Sequence, residues 1–326
     1  MRRSAVLSAT ALAGLSLVLS GCSTTAASQQ AGSGTIEVVT STNVYGDIVR
    51  EIGGDKVNVK ALISKASQDP HSYEATTQDK LAISKARLVV ENGGGYDDFV
   101  HKLAEDSKLD QNSIIDAVEV SGLAPAEEPE ATSTPAATTE GADEHGHAGE
   151  HGEFNEHVWY NFDAMTKLAD AIEARLAALE PASASTFQAN ADSFKEEIAG
   201  LSDQVASLKA TAAQAPVAVT EPVPLYLLEA AGLVNKTPAD YTAAIEEETD
   251  VPPAVLKEAT ELAGSKDIKL LAYNTQTEGP QTQALKKASE AAGVPVVDFS
   301  ETLPEGKSYV EWMGGNVENI KQALGK

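Results

Sequence analysis

The sequence predicts an α/β protein: two α/β lobes with parallel sheets, joined by one long spine helix. Three observations carry this. Strand-like and helix-like segments alternate from residue 36 to residue 95. An apolar stripe runs unbroken through residues 182–213. After Pro216 the alternation resumes and continues towards the C-terminus. Such alternation argues for parallel strands with helices packed on them. At 326 residues the chain can fill one large domain or two of ordinary size.

The first segment, residues 1–21, starts with Arg2 and Arg3 and continues as an apolar run to Leu19. That run is short for a membrane span and ends in small residues, the pattern of a secretory signal peptide. Leu19-Ser20-Gly21-Cys22 resembles the bacterial lipobox, in which the cysteine is lipidated and becomes the mature N-terminus. Cys22 is the only cysteine, which excludes an intrachain disulfide and a thiolate metal site. Residues 22–34 are small and polar, a flexible tether. The mature chain is therefore expected at the cell membrane, on its extracytoplasmic face, held by acyl chains.

The first lobe is expected over residues 35–181. "IEVVTS" (36–41) is a short β-rich run, and "VYGDIVREIGG" (44–54) an amphipathic helix closed by glycines. "KVNVKALI" (56–63) alternates at period two before turning apolar. "TTQDKLAISKA" (76–86) opens with a threonine that can cap a helix, and "RLVVENGGG" (87–95) is a strand running into a glycine turn. Residues 124–153 break this order. They are acidic, rich in Thr and Ala, carry three prolines and offer little to bury, the composition of a disordered insertion. Order resumes at Phe154–His157. A helix follows in which Met165, Leu168, Ile172, Leu176 and Leu179 recur at spacings of three and four, with Asn161 or Asp163 as its cap.

The linking helix, 182–213, carries Phe187, Ala191, Phe194, Ile198, Leu201, Val205, Leu208 and Ala212 at strictly alternating spacings of four and three. At 1.5 Å per residue it would run about 48 Å, enough to span two lobes. The second lobe, 214–326, offers strands at 217–220, 268–274 and 294–299, with helices near 224–231, 282–292 and 309–324. A cleft is expected where the two lobes meet.

The chain carries 49 acidic against 24 basic residues, a formal charge of -25. Phosphate binding needs clustered Lys and Arg, so nucleic acid is a poor partner. Acidity attracts cations in a general way. Four of the six histidines fall in "DEHGHAGEHGEFNEHVWYNFD", 143–163, which divides at about Phe154. His145, His147 and His151 lie in the acidic, glycine-rich part and are expected to bind metal weakly and transiently. His157 stands at the ordered edge, in "NEHVWYN". His71 lies in "DPHSYE", 69–74, after the second strand, where Pro70 stiffens the turn that presents it. No histidine follows 157, so ligands from the second lobe would be carboxylates or amides. Glu221 follows one strand and Glu301 another, at strand ends facing the expected cleft. His101, in "YDDFVHKLAED", reads as a solvent-facing helix residue without a role.

The segments from "VVTSTNVYGDIVREIGG" through "DPHSYE", "EHVWYNFDAMTKLADAIEARL" and "ANADSFKEEIAGLSDQV" resemble the metal-binding receptors of bacterial zinc and manganese ABC importers, solute-binding protein family 9. The resemblance covers nearly all of residues 36–326. "DPHSYE" and "HVW" are its most specific motifs. It implies one divalent cation held between the lobes by four side chains: His71 and His157 from the first, Glu221 and Glu301 from the second. Asp298 is the alternative fourth ligand should the local alignment slip. Zinc-type members usually carry histidine at the third position, and Glu221 is a departure shared with manganese-type members. The histidine-rich insertion favours Zn²⁺, with Mn²⁺ as the alternative. Binding is expected to weaken in acid as the imidazoles gain protons. The implied partners are an ABC permease and its ATPase, together with the membrane reached through the lipid on Cys22. The chain is expected to act as a monomer. A surface adhesin or metal buffer on the same fold is the other reading. An enzyme is not expected: H-E-x-x-H is absent, and a filled four-ligand shell leaves no open position for chemistry.

Overall fold

The computed structural model describes residues 34–68, 70–124, 154–212 and 214–325. The signal peptide, Cys22, the tether up to Ser33 and residues 125–153, with His145, His147 and His151, lie outside the described residues. Among the described residues no helix is long and apolar enough to cross a membrane.

The first lobe runs β1 (Ile36–Thr42), α1 (Asn43–Gly53), β2 (Val57–Ile63), α2 (Thr77–Ile83), β3 (Leu88–Glu91), α3 (Asp98–Asp106), β4 (Ile114–Asp116) and α4 (Ala117–Ser121). Helices α5 (Phe162–Leu179) and α6 (Ala184–Ala212) follow. The second lobe runs β5 (Pro216–Val219), α7 (Leu225–Ala230), β6 (Val234–Asn235), α8 (Ala239–Glu246), α9 (Pro253–Ala263), β7 (Leu271–Asn274), α10 (Pro280–Ala292), β8 (Val296–Phe299) and α11 (Tyr309–Ala323).

Both sheets have four strands and one topology. The orders are β2-β1-β3-β4 and β6-β5-β7-β8, with every pair parallel. In each, the chain leaves the first strand towards one edge and then crosses back to the other side. That reversal opens a crevice at the carboxyl ends of the central strands, between β1 and β3 and between β5 and β7. Glu91 to Asp97, Glu221 and Asn274 therefore sit at or just beyond these strand ends.

Side-chain caps fix where several helices begin. Thr76 and Asp79 form a reciprocal capping box on α2, and Ser308 and Glu311 form one on α11. Asn161 caps α5 by accepting from the Ala164 amide at 3.0 Å. Three consecutive glycines after β3, Gly93, Gly94 and Gly95, all adopt positive φ. At Gly93 a Cβ would fall 2.1 Å from an Asp116 carboxylate oxygen, so no side chain fits there. This turn folds Tyr96 and Asp97 back beneath the sheet end.

All eight stripe residues of α6 are buried, and α6 packs on α1, α5 and α11. Each large apolar side chain so placed contributes roughly 1.5–3 kcal/mol. One continuous core holds residues of both sheets together with α5 and α6. Two smaller cores lie apart from it, one in each lobe. Polar ties also cross between the lobes. Asn43 and Leu303 exchange two hydrogen bonds, at 2.8 and 2.9 Å. Tyr309 donates to the Trp159 carbonyl at 2.6 Å, and Tyr160 to the Ser300 carbonyl at 2.7 Å.

His101 is exposed on α3, the solvent-facing helix position its sequence suggests, and it also reaches a buried carboxylate. Its Nδ1 lies 2.9 Å from Glu91 Oε1, and Glu91 is buried. Burial pushes Glu91 up to about 7 although His101 opposes it, and pushes Asp97 up to about 6. The hydrogen bond to Glu91 raises His101. All three shifts have one sign. Folded Glu91 and Asp97 keep protons that the unfolded chain releases above its ordinary carboxylate values near 4, so they add stability at low pH and lose it as pH rises towards 7, and His101 loses its share as pH rises beyond 6.5. The expected result is a higher urea midpoint for metal-free protein at pH 5 than at pH 8, with Glu91→Gln narrowing the difference. An unchanged difference in that variant removes the pair as its source.

Candidate metal centre

His71 stands in the loop between β2 and α2. Tyr73 anchors this loop: its hydroxyl donates to Asp79 at 3.0 Å and its ring packs on Phe99 at 4.9 Å. The His71 ring meets the Tyr96 ring edge-on, with centroids 4.9 Å apart. His157 precedes the short 3₁₀ turn Val158–Tyr160 and is fully buried. Its ring lies 5.1 Å from Trp159 and 5.7 Å from Tyr96. The two imidazole centroids are 6.3 Å apart.

Asn155 sets the tautomer of His157. Its amide nitrogen donates to the Pro222 carbonyl at 3.1 Å, so its Oδ1 must face the imidazole. Oδ1 lies 2.7 Å from His157 Nδ1, which therefore carries the proton. Nε2 is left as a bare lone pair, buried and without a hydrogen-bond partner among the described residues. Burial first, and His71 second, hold the His157 imidazole well below its usual range. A neutral imidazole with an oriented lone pair is a ready metal ligand.

Two carboxylates face these rings. Glu246, the last residue of α8, places Oε1 3.5 Å from His157 Nε2 and 3.7 Å from His71 Nε2. Glu156 places Oε1 3.9 Å from His71 Nε2. One ligand atom from each of His71, Glu156, His157 and Glu246 lies within 4.8 Å of all the others. Two ligands about 2.1 Å from one ion stand at most about 4.2 Å apart, so a small contraction would gather these atoms around it.

Glu221 and Glu301 form the adjoining wall. Both are buried, and Asn274 Nδ2 bridges them, donating to Glu221 and to Glu301 Oε1, the latter at 2.8 Å. The Tyr96 hydroxyl donates to Glu301 Oε2 at 3.0 Å, linking this wall to the ring that supports His71. Burial first, then the carboxylates of Glu156, Glu221 and Glu301, push Glu246 up to about 10. Four carboxyl groups and two imidazoles thus gather around a crevice that His71 opens to solvent, an arrangement that suits a cation. Asp298 points elsewhere: it is largely exposed on β8, 3.9 Å from Lys286.

The structure therefore brings His71 and His157 together and sets Glu221 beside Glu301. It adds Glu156 and Glu246, which sequence reasoning missed. Glu156 had the one available signal, adjacency to His157. Glu246 opens a run of three glutamates, and nothing in that run says which one turns inward.

The sequence profile of one family, described as zinc-uptake complex component A, periplasmic (ZnuA), matches residues 38–323. The chain is 34% identical over 98 residues to the metal ABC transporter substrate-binding lipoprotein ScbA of Streptococcus cristatus, covering 29% of this chain and 31% of that one. Alignments to the first curated relatives take in only about a third of their length. A longer match, 24% identical over 308 residues, is to the manganese ABC transporter substrate-binding lipoprotein PsaA of Streptococcus pneumoniae serotype 4. It covers 89% of this chain and 90% of that one. Among solved structures the fold resembles the periplasmic zinc-binding protein TroA from Treponema pallidum. The TM-score is 0.68 at 20% identity, over 89% of this chain and 99% of that one.

Proposed function

The chain belongs to the family of zinc-uptake complex component A, the substrate-binding receptors of metal ABC importers, and from that premise we propose that it captures Zn²⁺ outside the cytoplasm and delivers it to a membrane permease powered by an ATPase. Members of this family are receptors and not enzymes. The observation that carries the proposal is the convergence of two imidazoles from the first lobe with carboxylates of the second. The ion is the cargo. His71, His157, Glu221 and Glu301 are its proposed ligands, and Asn155 and Asn274 orient a histidine and the carboxylate pair respectively. Lipid on Cys22 anchors the receptor, which works as a monomer. His145, His147 and His151 serve as a weak auxiliary site that raises the local metal concentration.

Manganese is the second reading, favoured by the carboxylates around the two imidazoles. Oxygen-rich sites suit harder ions, while Zn²⁺ binds most such sites more tightly than Mn²⁺. The test is a calorimetric titration of purified protein with Zn²⁺ and with Mn²⁺, wild type beside Glu221→His. The substitution exchanges an oxygen ligand for nitrogen, and the expected result is a shift of preference towards Zn²⁺. An unchanged ratio of affinities puts Glu221 outside the shell. Wild-type protein that binds neither ion in a one-to-one ratio refutes the receptor reading.

A further inference from the structure

Glu246 is not among the four ligands that the family resemblance implies, yet its Oε1 faces both imidazoles, 3.5 Å from His157 Nε2 and 3.7 Å from His71 Nε2. Its aim is set by the backbone. Tyr241, Ala244 and Ile245 bury α8 against the second lobe's smaller core. Two residues after Glu246 the chain turns sharply. Glu248 adopts a left-handed φ of 53°, and the Thr249 amide returns to the Ala244 carbonyl at 2.8 Å. A helix end so pinned fixes which of the three glutamates enters the cleft.

The atoms that meet there need something positive between them, a proton on Glu246 in the metal-free chain or a metal ion in its place. Asn155 has already claimed the proton of His157, so Nε2 can only accept. Opposite it, 3.5 Å away, stands Glu246 Oε1. Both atoms are buried and neither of the two has a hydrogen-bond partner among the described residues, although the Glu246 carboxyl also meets Glu156. A lone pair on Nε2 and a carboxyl oxygen facing it deep in a protein are costly if both lack a positive partner, and a bound cation can supply it.

We propose that Glu246 is a direct ligand of the captured ion, bringing a carboxylate oxygen from α8 to the metal that His71 and His157 hold. The proposal rests on the receptor reading above and extends it. A fifth donor raises the shell above the four that Zn²⁺ usually takes and adds oxygen, so Glu246 determines how well the site accepts Mn²⁺. Its loss therefore weakens Mn²⁺ more than Zn²⁺.

The test uses the full chain with Glu246→Gln and Glu246→Ala, loaded with Co²⁺ as a spectroscopic probe and titrated separately with Mn²⁺ and Zn²⁺. The visible Co²⁺ bands are weak in five- and six-coordinate shells and strong in four-coordinate ones. Both variants are expected to strengthen and shift these bands. Mn²⁺ affinity is expected to fall at least about tenfold, the loss that even an outer-shell partner causes, and Zn²⁺ affinity to fall less. Wild-type Co²⁺ bands in both variants overturn the proposal, and so does lower affinity with unchanged bands, which marks a positioning role. A His71→Ala, His157→Ala control separates the two levels. If that control abolishes binding while the Glu246 variants match wild type, only this inference fails. If the control still binds one ion tightly, the reading beneath it fails as well.

Discussion

A chain carrying both His71→Ala and His157→Ala is expected to lose its tight, one-to-one divalent metal site. The two imidazoles are the nitrogen donors of the cluster, and their centroids lie 6.3 Å apart. Without them the ion would face carboxylates alone, several of them engaged elsewhere: Glu301 by Tyr96 and Asn274, Glu221 by Asn274. Loss of an outer-shell partner alone typically costs 10–100-fold, so removing two ligands should cost about a thousandfold or more. Calorimetric titration with Zn²⁺ reads this directly. The alanines leave the rest of the fold in place, because His71 sits on a loop and the Val158–Tyr160 turn is held by its own aromatic residues. Tight stoichiometric binding in the double variant would show that the ligands lie elsewhere.

Trp159→Ala is expected to be the most damaging single change in the aromatic group beneath the site. Trp159 is 1% exposed, and its ring lies 4.9 Å from Tyr96, 5.1 Å from His157, 6.3 Å from Tyr160 and 6.5 Å from Tyr45. Truncating a buried tryptophan to alanine costs about 3–5 kcal/mol in transfer and cavity terms. Here it also removes a wall from the His157 imidazole. Trp159→Phe should cost far less, roughly 1–2 kcal/mol, because the indole Nε1 is buried with no hydrogen-bond partner among the described residues and nothing polar is lost with it. Urea denaturation of the metal-free variants gives both numbers. A phenylalanine variant as unstable as the alanine one would mean that the indole N–H has a partner after all.

Much of the fold could be read in advance because its strands are short apolar runs separated by helices of clear period. The α6 stripe was legible for the same reason, since a spacing of four and three sustained over seven steps has few other uses. The segment from β6 to α9 was not. There prolines at 238, 252 and 253 and the acidic run 246–250 look like loop, whereas the prolines start α8 and α9. At the site, His71 and His157 were marked by their motifs, and Glu221 and Glu301 by following strands. Asn155 and Asn274 carried no such mark. Their work is to hold residues distant in the chain: Asn274 reaches Glu221 53 positions away, and Asn155 reaches Pro222 67 positions away. Contacts of that kind are properties of the assembled crevice and leave no local period.

The continuous core that α6 threads between the sheets has a consequence for folding cooperativity. Phe187, Phe194, Ile198 and Leu201 lie in the same apolar cluster as Ile48 of α1, Phe299 of β8 and Trp312 of α11. Each half buries part of its apolar surface only against the other. The two lobes are therefore expected to unfold in one transition, with a single midpoint by circular dichroism and by tryptophan fluorescence. An ion bound between the lobes is then expected to raise the stability of both sheets, far ends included, and not only of the residues that touch it.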